Sequence, residues 1–530
     1  SHSLLVVRDH GLPRFHMLVT VRDFALAQLS ASGDEAEARA ALHQWAVDLC
    51  SQIRFPVDSG DFGDASHPEA RHHDRLFQQV ADNEAVILQQ LDRLLAQADG
   101  HGSDLLPAEL RDAICLIGAA LMRLWSVTWS YERIADYGAR LIGPAAQPAQ
   151  DPRGNEAGLS VLALCVTLFG LLSHVPAQVR SLLPASFDGE GPFSRVRRFL
   201  RASDAQWPEL IDDADPWVAW AATRCLAAQQ EDDGDPQASL GTIEALLGRL
   251  HGHDLAGIHL LELHLHRLQV LMSLGRYNQV IDACSRAQVL LERVLPSWGE
   301  FFRTTLQWGD AYCMVYLDPR PETATELLER LESVDLPETI RFILRSVRGE
   351  LELTRGNVRT AALIQRVSLR YAGNWRSILG SGSQWELYIL SMCLVTDVEL
   401  SPDDAVELDA RAIRARATSL LREILSDPAP RQRDIPTIMA FVAAVGLSIV
   451  AAEDTGSDRR AAGAELVATA LAVGTNQTCR LLSHDYLRSR TERLDARALA
   501  QAEERIRPLN RSELVAHAAD LAGRLAGEVG

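Results

Sequence analysis

No lysine occurs among the 530 residues; all 52 basic side chains are arginines. A Walker A loop needs its lysine at the β- and γ-phosphates, and a pyridoxal enzyme needs one for its Schiff base. Neither chemistry can be performed by this chain alone, and a GC-rich coding bias is the bland source of the arginines. Cysteine is scarce and scattered, at positions 50, 115, 165, 225, 284, 313, 393 and 479. No CxxC pair exists, which argues against zinc ribbons and thioredoxin-like redox sites. Single thiols within apolar helical patterns read as buried free cysteines in a reducing cytoplasm. Long apolar runs are missing too. The two longest, Gly158–Leu172 and Ile438–Ala452, reach 15 residues each, short of the roughly 18–20 that a transmembrane helix requires. Both are expected to be buried helices, and no membrane partner is expected. Positive charge is in deficit: a net charge of −19 repels a phosphate backbone. Aromatics make up 6% and hydrophobic residues 47%, and β-rich runs are few, the mixture of an all-helical soluble protein.

At this length a single core is not expected, and a repeat array or several domains is. Between Trp217 and Ala372, glycines able to close helical hairpins recur at Gly234, Gly275 and Gly356, at steps of 41 and 81 residues. The second step is about twice the first, and the skipped position falls near Asp318-Pro319, another turn-forming pair. The stretch Gly275-Arg276-Tyr277-Asn278-Gln279-Val280 matches Gly356-Asn357-Val358-Arg359-Thr360-Ala361 in its glycine and its apolar places. Val280, Cys284, Ala287, Leu291 and Val294 continue as an apolar stripe at helical spacing. A period near 40 residues marks a helical solenoid, in which each hairpin buries its face against its neighbours. The pattern resembles a tetratricopeptide array lengthened by insertions. The implied fold is an all-α tetratricopeptide-like solenoid, a right-handed superhelix of hairpins spanning 76–474, with capping helices over 475–530.

Residues 1–54 read differently. A strand over Leu4–Arg8, a turn at His10-Gly11-Leu12-Pro13, a strand over Arg14–Leu18 and a helix from an N-cap at Thr20 to Gly33 make the closing half of a winged-helix domain. The run Arg14-Phe15-His16-Met17-Leu18-Val19-Thr20-Val21-Arg22-Asp23-Phe24-Ala25, followed by Leu29, Gly33 and His43, resembles the segment that ends the ATPase module of actinobacterial regulators. These belong to the signal-transduction ATPase (STAND, NB-ARC) class, including antibiotic regulatory proteins with a helical repeat sensor. Asn83 with Leu88 and Leu91, Leu124-Trp125, Asp215-Pro216-Trp217 and Leu494–Leu521 resemble later family features. Met17-Leu18-Val19 departs from the family's nucleotide-reading Met-His-Asp triplet. The resemblance implies a missing upstream ATPase that would hold the ATP, with DNA contacted only through missing domains. A start at Ser1-His2-Ser3 without methionine is expected of a fragment. The segment 55–75, rich in Gly, Asp, Pro and His, reads as a flexible linker, with hairpins from about Leu76.

Catalysis finds no starting point: GxSxG, GxGxxG and phosphate-binding glycine loops are all absent. Paired acids such as Asp212-Asp213 and Glu231-Asp232-Asp233 sit beside turns and read as solvated loops. The histidines at 251, 253, 259, 264 and 266 could suggest a metal, with Asp254 and Glu262 nearby. However, His264 and His266 are two apart and face different sides of a helix, and no HExxH exists. No metal, no cofactor in this chain and no enzyme activity are therefore expected. Most tryptophans (217, 220, 298, 308, 375, 385) are read as packing residues.

With each turn glycine at the fifteenth place of its repeat, places 2, 5 and 9 fall on the concave wall. That marks Arg224, then Glu262 and Gln269, then Asp310 if the third repeat slips by one, then Ser346 and Glu350; His266 lies beside the row. The expected function is a cytoplasmic sensor or interaction module that binds a protein partner or small inducer in its groove. The alternative is a constitutive scaffold for partner peptides, with no switching role.

Overall fold

The computed structural model describes residues 5–10, 12–17, 19–53, 68–101, 105–128, 130–147, 152–168, 194–250, 257–294, 306, 307, 309, 313, 315, 321–333, 338–379, 384–426, 435–452 and 456–527. Among these residues the chain is all-α except for one hairpin at its start. Strands β1 (Leu5–His10) and β2 (Leu12–Met17) pair antiparallel, with Leu5 opposite Met17 and His10 opposite Leu12. They run closer together than the expected ends at Arg8 and Arg14, and Pro13 lies within β2. A two-stranded ribbon consists only of edges, so a residue without an N–H is tolerated there. Helix α1 (Val19–Ser32) begins before Thr20, which is a helical residue and not the cap. Gly33 follows at φ +82°.

Helices α2 (Glu35–Ser51), α3 (Pro68–Asp82), α4 (Glu84–Asp99) and α5 (Ala108–Val127) come next. Helix α3 starts eight positions before the expected Leu76, because a proline fits the first helical position, where no N–H is needed. His72 and His73 are therefore helical, while 54–67 lies outside the described residues. The Pro- and Gln-containing stretch Gly143–Ala157 reads in the sequence as a break between hairpins, but helix occupies both of its ends. Helix α6 (Tyr131–Ala146) carries Pro144 near its end, and α7 (Pro152–Leu168) again opens on proline.

After α8 (Ser194–Arg201) and the single turn α9 (Trp207–Leu210), the regular hairpins begin with α10 (Pro216–Asp232) and α11 (Pro236–Arg249). The Asp215-Pro216-Trp217 triplet has a local cause. The Asp215 carboxylate accepts the Trp217 and Val218 N–H groups at 2.9 and 3.3 Å, and Pro216 presets the first helical φ. Helices α12 (Gly257–Ser273) and α13 (Tyr277–Val294) follow, then α14 (Pro321–Glu332), α15 (Glu338–Thr354) and α16 (Val358–Leu379). Asp310, Trp298, Trp308 and the expected turn at Asp318-Pro319 lie outside the described residues.

The three turn glycines close their helices in one manner. Gly234, Gly275 and Gly356 have φ of +75°, +67° and +81°. Behind each, the next residue's N–H reaches back five positions: Asp235 to Gln230 O, Arg276 to Leu271 O and Asn357 to Glu352 O, at 2.7–2.9 Å. Each glycine N–H reaches back three. This double closure needs a left-handed residue, which glycine adopts without a Cβ penalty.

The chain ends with α17 (Gln384–Asp397), α18 (Pro402–Glu407), α19 (Ala410–Ser426), α20 (Ile435–Ala451), α21 (Ser457–Val473), α22 (His484–Ile506) and α23 (Arg511–Gly527). The sequence pattern predicts a terminal helix over Leu481–Gln501, but α22 starts later, because the Ser483 hydroxyl caps it at the Tyr486 N–H. It kinks at Asp495, whose carboxylate accepts the Ala498 N–H and so caps the second half.

Most helices pack on sequence neighbours, as in α10–α11–α12–α13, α15–α16–α17 and α20–α21–α22. Contacts between distant parts include α10 with α20 and α6 with α16. Residues 111–126 of α5 and Pro436–Val450 of α20 are buried on every side. A helix covered all round belongs inside a body and not on a wall facing solvent. That accounts for the Ile438–Ala452 run without a membrane, and no described helix is long and apolar enough to cross one. Among the described residues there are two large buried clusters: one extends from Ala46 to Leu351 and the other from Leu369 to Leu525. They do not merge, and the second includes residues on both sides of 474.

Candidate functional site

The predicted wall residues fall into two groups. The first lies where α10 and α12 face the end of α5. Glu262 is 12% exposed and Arg123, from α5, is 7% exposed; Arg123 Nη1 donates to Glu262 Oε1 at 3.0 Å. His259 Nδ1 stands 3.4 Å from Glu262 Oε2, and Arg224 donates to the Glu262 backbone carbonyl at 3.0 Å. Burial pushes the Glu262 carboxyl up. Arg123, with His259 and Arg224 adding to it, outweighs burial and brings the carboxyl down to about 2. The ion is thus held charged by its surroundings. Trp220 lies on the His259 ring with centroids 4.0 Å apart, and Trp217 continues the aromatic row to Phe199.

His266 is buried and its Nε2 lies 2.5 Å from Glu231 Oε1. Glu231 also accepts the Ser239 hydroxyl, so the acid expected to be a solvated loop residue instead binds two neighbouring helices. Gln269 is exposed. Among the described residues no group of three or more His, Cys, Asp or Glu side chains could hold a metal. Burial lowers the His264 pKa, helped by Arg267 and Arg286. His251 and His253 are outside the described residues.

The second group centres on α15. Ser346 and Glu350, four apart on one face, are both buried. The Cys479 thiol donates to Glu350 Oε1. Glu350 Oε2 and Ser346 Oγ are buried with no hydrogen-bond partner. Burial raises the Glu350 carboxyl to about 8 against weaker opposing effects of Cys479 and Arg480. Near neutrality it is a protonated acid in a site without a full counter-charge.

Cys479 belongs to an irregular stretch, 474–483, between α21 and α22. Its Gln477 N–H donates to Ser273 O at 3.0 Å, and the Tyr277 hydroxyl donates to Gln477 O at 3.1 Å. Asn476 reaches the start of α20 through Pro436 O and Thr437 Oγ1. The stretch thus spans the α12–α13 turn, α15 and α20. Nearby, the Arg511 guanidinium covers the Cα of Gly234 so closely that any side chain there would collide with it.

The structure therefore brings Arg224 and Glu262 together, places His266 one turn further along α12, and puts Ser346 and Glu350 in a separate buried patch. Arg123, Tyr277, Gln477 and Cys479 were missed by the repeat register. A signal for Arg123 did exist: a lone cation inside the apolar run from Ile114 to Trp125 must have a buried partner. Gln477 and Cys479 carried none, because a register assigns neighbours along an array and these contacts cross it. Compared with known proteins, the chain matches no family model, no curated protein and no solved structure.

Proposed function

We propose that this chain is the sensor and protein-interaction region of a cytoplasmic bacterial transcriptional regulator of the signal-transduction ATPase class. In this reading it is a tetratricopeptide-like solenoid that follows a winged-helix remnant, and ATP and DNA are bound by other parts of the full-length protein. The observation that carries it is the identical double closure at Gly234, Gly275 and Gly356, spaced 41 and 81 residues apart. Equal closure at repeat spacing is what stacked hairpins require. The segment from Arg14 to Ala25, in the closing half of the winged-helix remnant, supports the regulator class through its family-like residues.

The inner wall named by the register is held mostly by the chain's own groups: Arg123 on Glu262, Glu231 on His266, Cys479 on Glu350. A protein partner or inducer acts by competing for those groups, and it shifts the array only as far as it prefers the opened form. Arg224, Glu262, His266, Gln269, Ser346 and Glu350 are the residues it would read, with Asp310 alongside them.

The test uses the full-length gene product. ATP turnover is measured with and without residues 76–527. A sensor that restrains its ATPase gives a several-fold rise on deletion. Unchanged turnover favours the scaffold reading, and a full-length product that binds no nucleotide contradicts the regulator class.

A further inference from the structure

We propose that the seam between the two hydrophobic bodies is a conformational latch, closed by residues 474–483 docking on the α12–α13 turn and on α15. Among the described residues the two clusters, Ala46 to Leu351 and Leu369 to Leu525, are each continuous and stay separate. Across the seam, the contacts of this stretch with the first body are polar. Gln477 exchanges one bond with the Ser273 carbonyl and one with the Tyr277 hydroxyl, and Cys479 donates to Glu350. Bonds of this kind contribute little net, because water replaces them at both ends on opening. Because α10–α20, α6–α16 and α15–α16 also cross the seam, the opening is local to this stretch and leaves those helices in place.

Glu350 both holds and opposes the closed latch: it is hydrogen-bonded by the Cys479 thiol and the Arg480 backbone, but at a cost of burial. Its Oε2 is buried with no partner, and opening returns that atom to water. Ser346, one turn before it, is in the same position. The two clusters adjoin along the packed α15–α16 hairpin, where Leu353 of α15 reaches the second. The latch stands on these contacts alone and does not depend on the regulator reading.

Hydrogen exchange of the intact chain tests it, with Tyr277→Phe as the variant, since that change removes one hydroxyl and keeps the ring. Exchange in peptides covering 474–479 is expected to rise about ten-fold, with α5 and α20 unchanged. No rise, or a rise shared equally by α5 and α20, overturns the latch, because opening would then occur only by global unfolding. Alkylation of the wild-type chain gives a second reading. All eight thiols are buried, yet Cys479 is expected to label about ten times faster than Cys115 or Cys165, through local opening. Equal rates for the three overturn it.

Discussion

Arg123 Nη1 lies 3.0 Å from Glu262 Oε1, although 139 positions separate the two residues. The pair ties the end of α5 to α12 inside the first body. Removing one partner leaves the other charge buried and uncompensated. Arg123→Ala is therefore expected to cost about 3 kcal/mol, whereas the apolar double replacement Arg123→Met with Glu262→Leu costs under about 1 kcal/mol. Urea denaturation of the three chains checks this. A single variant no worse than the double would mean that the pair is not coupled.

Two buried carboxyls should shape the pH dependence in opposite senses. Glu262 is lowered from 4.5 to about 2, so its contribution is present above 4.5 and lost as pH falls through 2. Glu350 is raised from 4.5 to about 8, so its contribution is full below 4.5 and lost as pH rises through 8. Melting temperatures of wild type and Glu350→Gln, compared between pH 5.5 and 8.5, isolate the second effect. Wild type should lose ground steadily against the variant as pH rises. A difference independent of pH would show that Glu350 ionises freely.

The turn glycines should not respond alike to alanine. Gly356→Ala meets open space and bears only the left-handed backbone penalty, about 1 kcal/mol. Gly234→Ala bears the same penalty and must also swing aside the flexible end of the exposed Arg511 side chain, so it should cost only slightly more. Adding Arg511→Ala is expected to bring the two glycine substitutions to a similar cost. A large excess cost at Gly234 that persists without the Arg511 side chain would contradict this reading of the turn.

Local features were the readable part of this sequence. Glycine spacing and the apolar helical stripe each depend on residues within a turn or two. The turns at Gly234, Gly275 and Gly356 and the face of α13 could therefore be placed from period, whereas Asp215-Pro216-Trp217 reads only as a resemblance and not as a cap. Helix starts at Pro68 and Pro152 were missed because proline was read as a breaker and not as a first helical residue. The site was legible in part. Glu262 and Glu350 stand out as acids at apolar positions, but their partners Arg123 and Cys479 come from more than 120 residues away. A period along the chain says which hairpins are adjacent. It does not say that α10 approaches α20 or that Gln477 returns to Ser273, since those contacts depend on how the hairpins curve together.

The return of 474–483 onto the α12–α13 turn is the centre of the account, and one cross-link tests it. A Cβ built at Gly275 lies 3.9 Å from the Gln477 Cβ, close to the roughly 3.8 Å of a disulfide. The folded Gly275→Cys, Gln477→Cys chain should therefore close a disulfide under mild oxidation, read by mass spectrometry, while Gly356→Cys with Gln477→Cys stays reduced. If the first pair stays open, or both pairs react alike, the segment is not seated on that turn and the latch and the closed inner wall are contradicted.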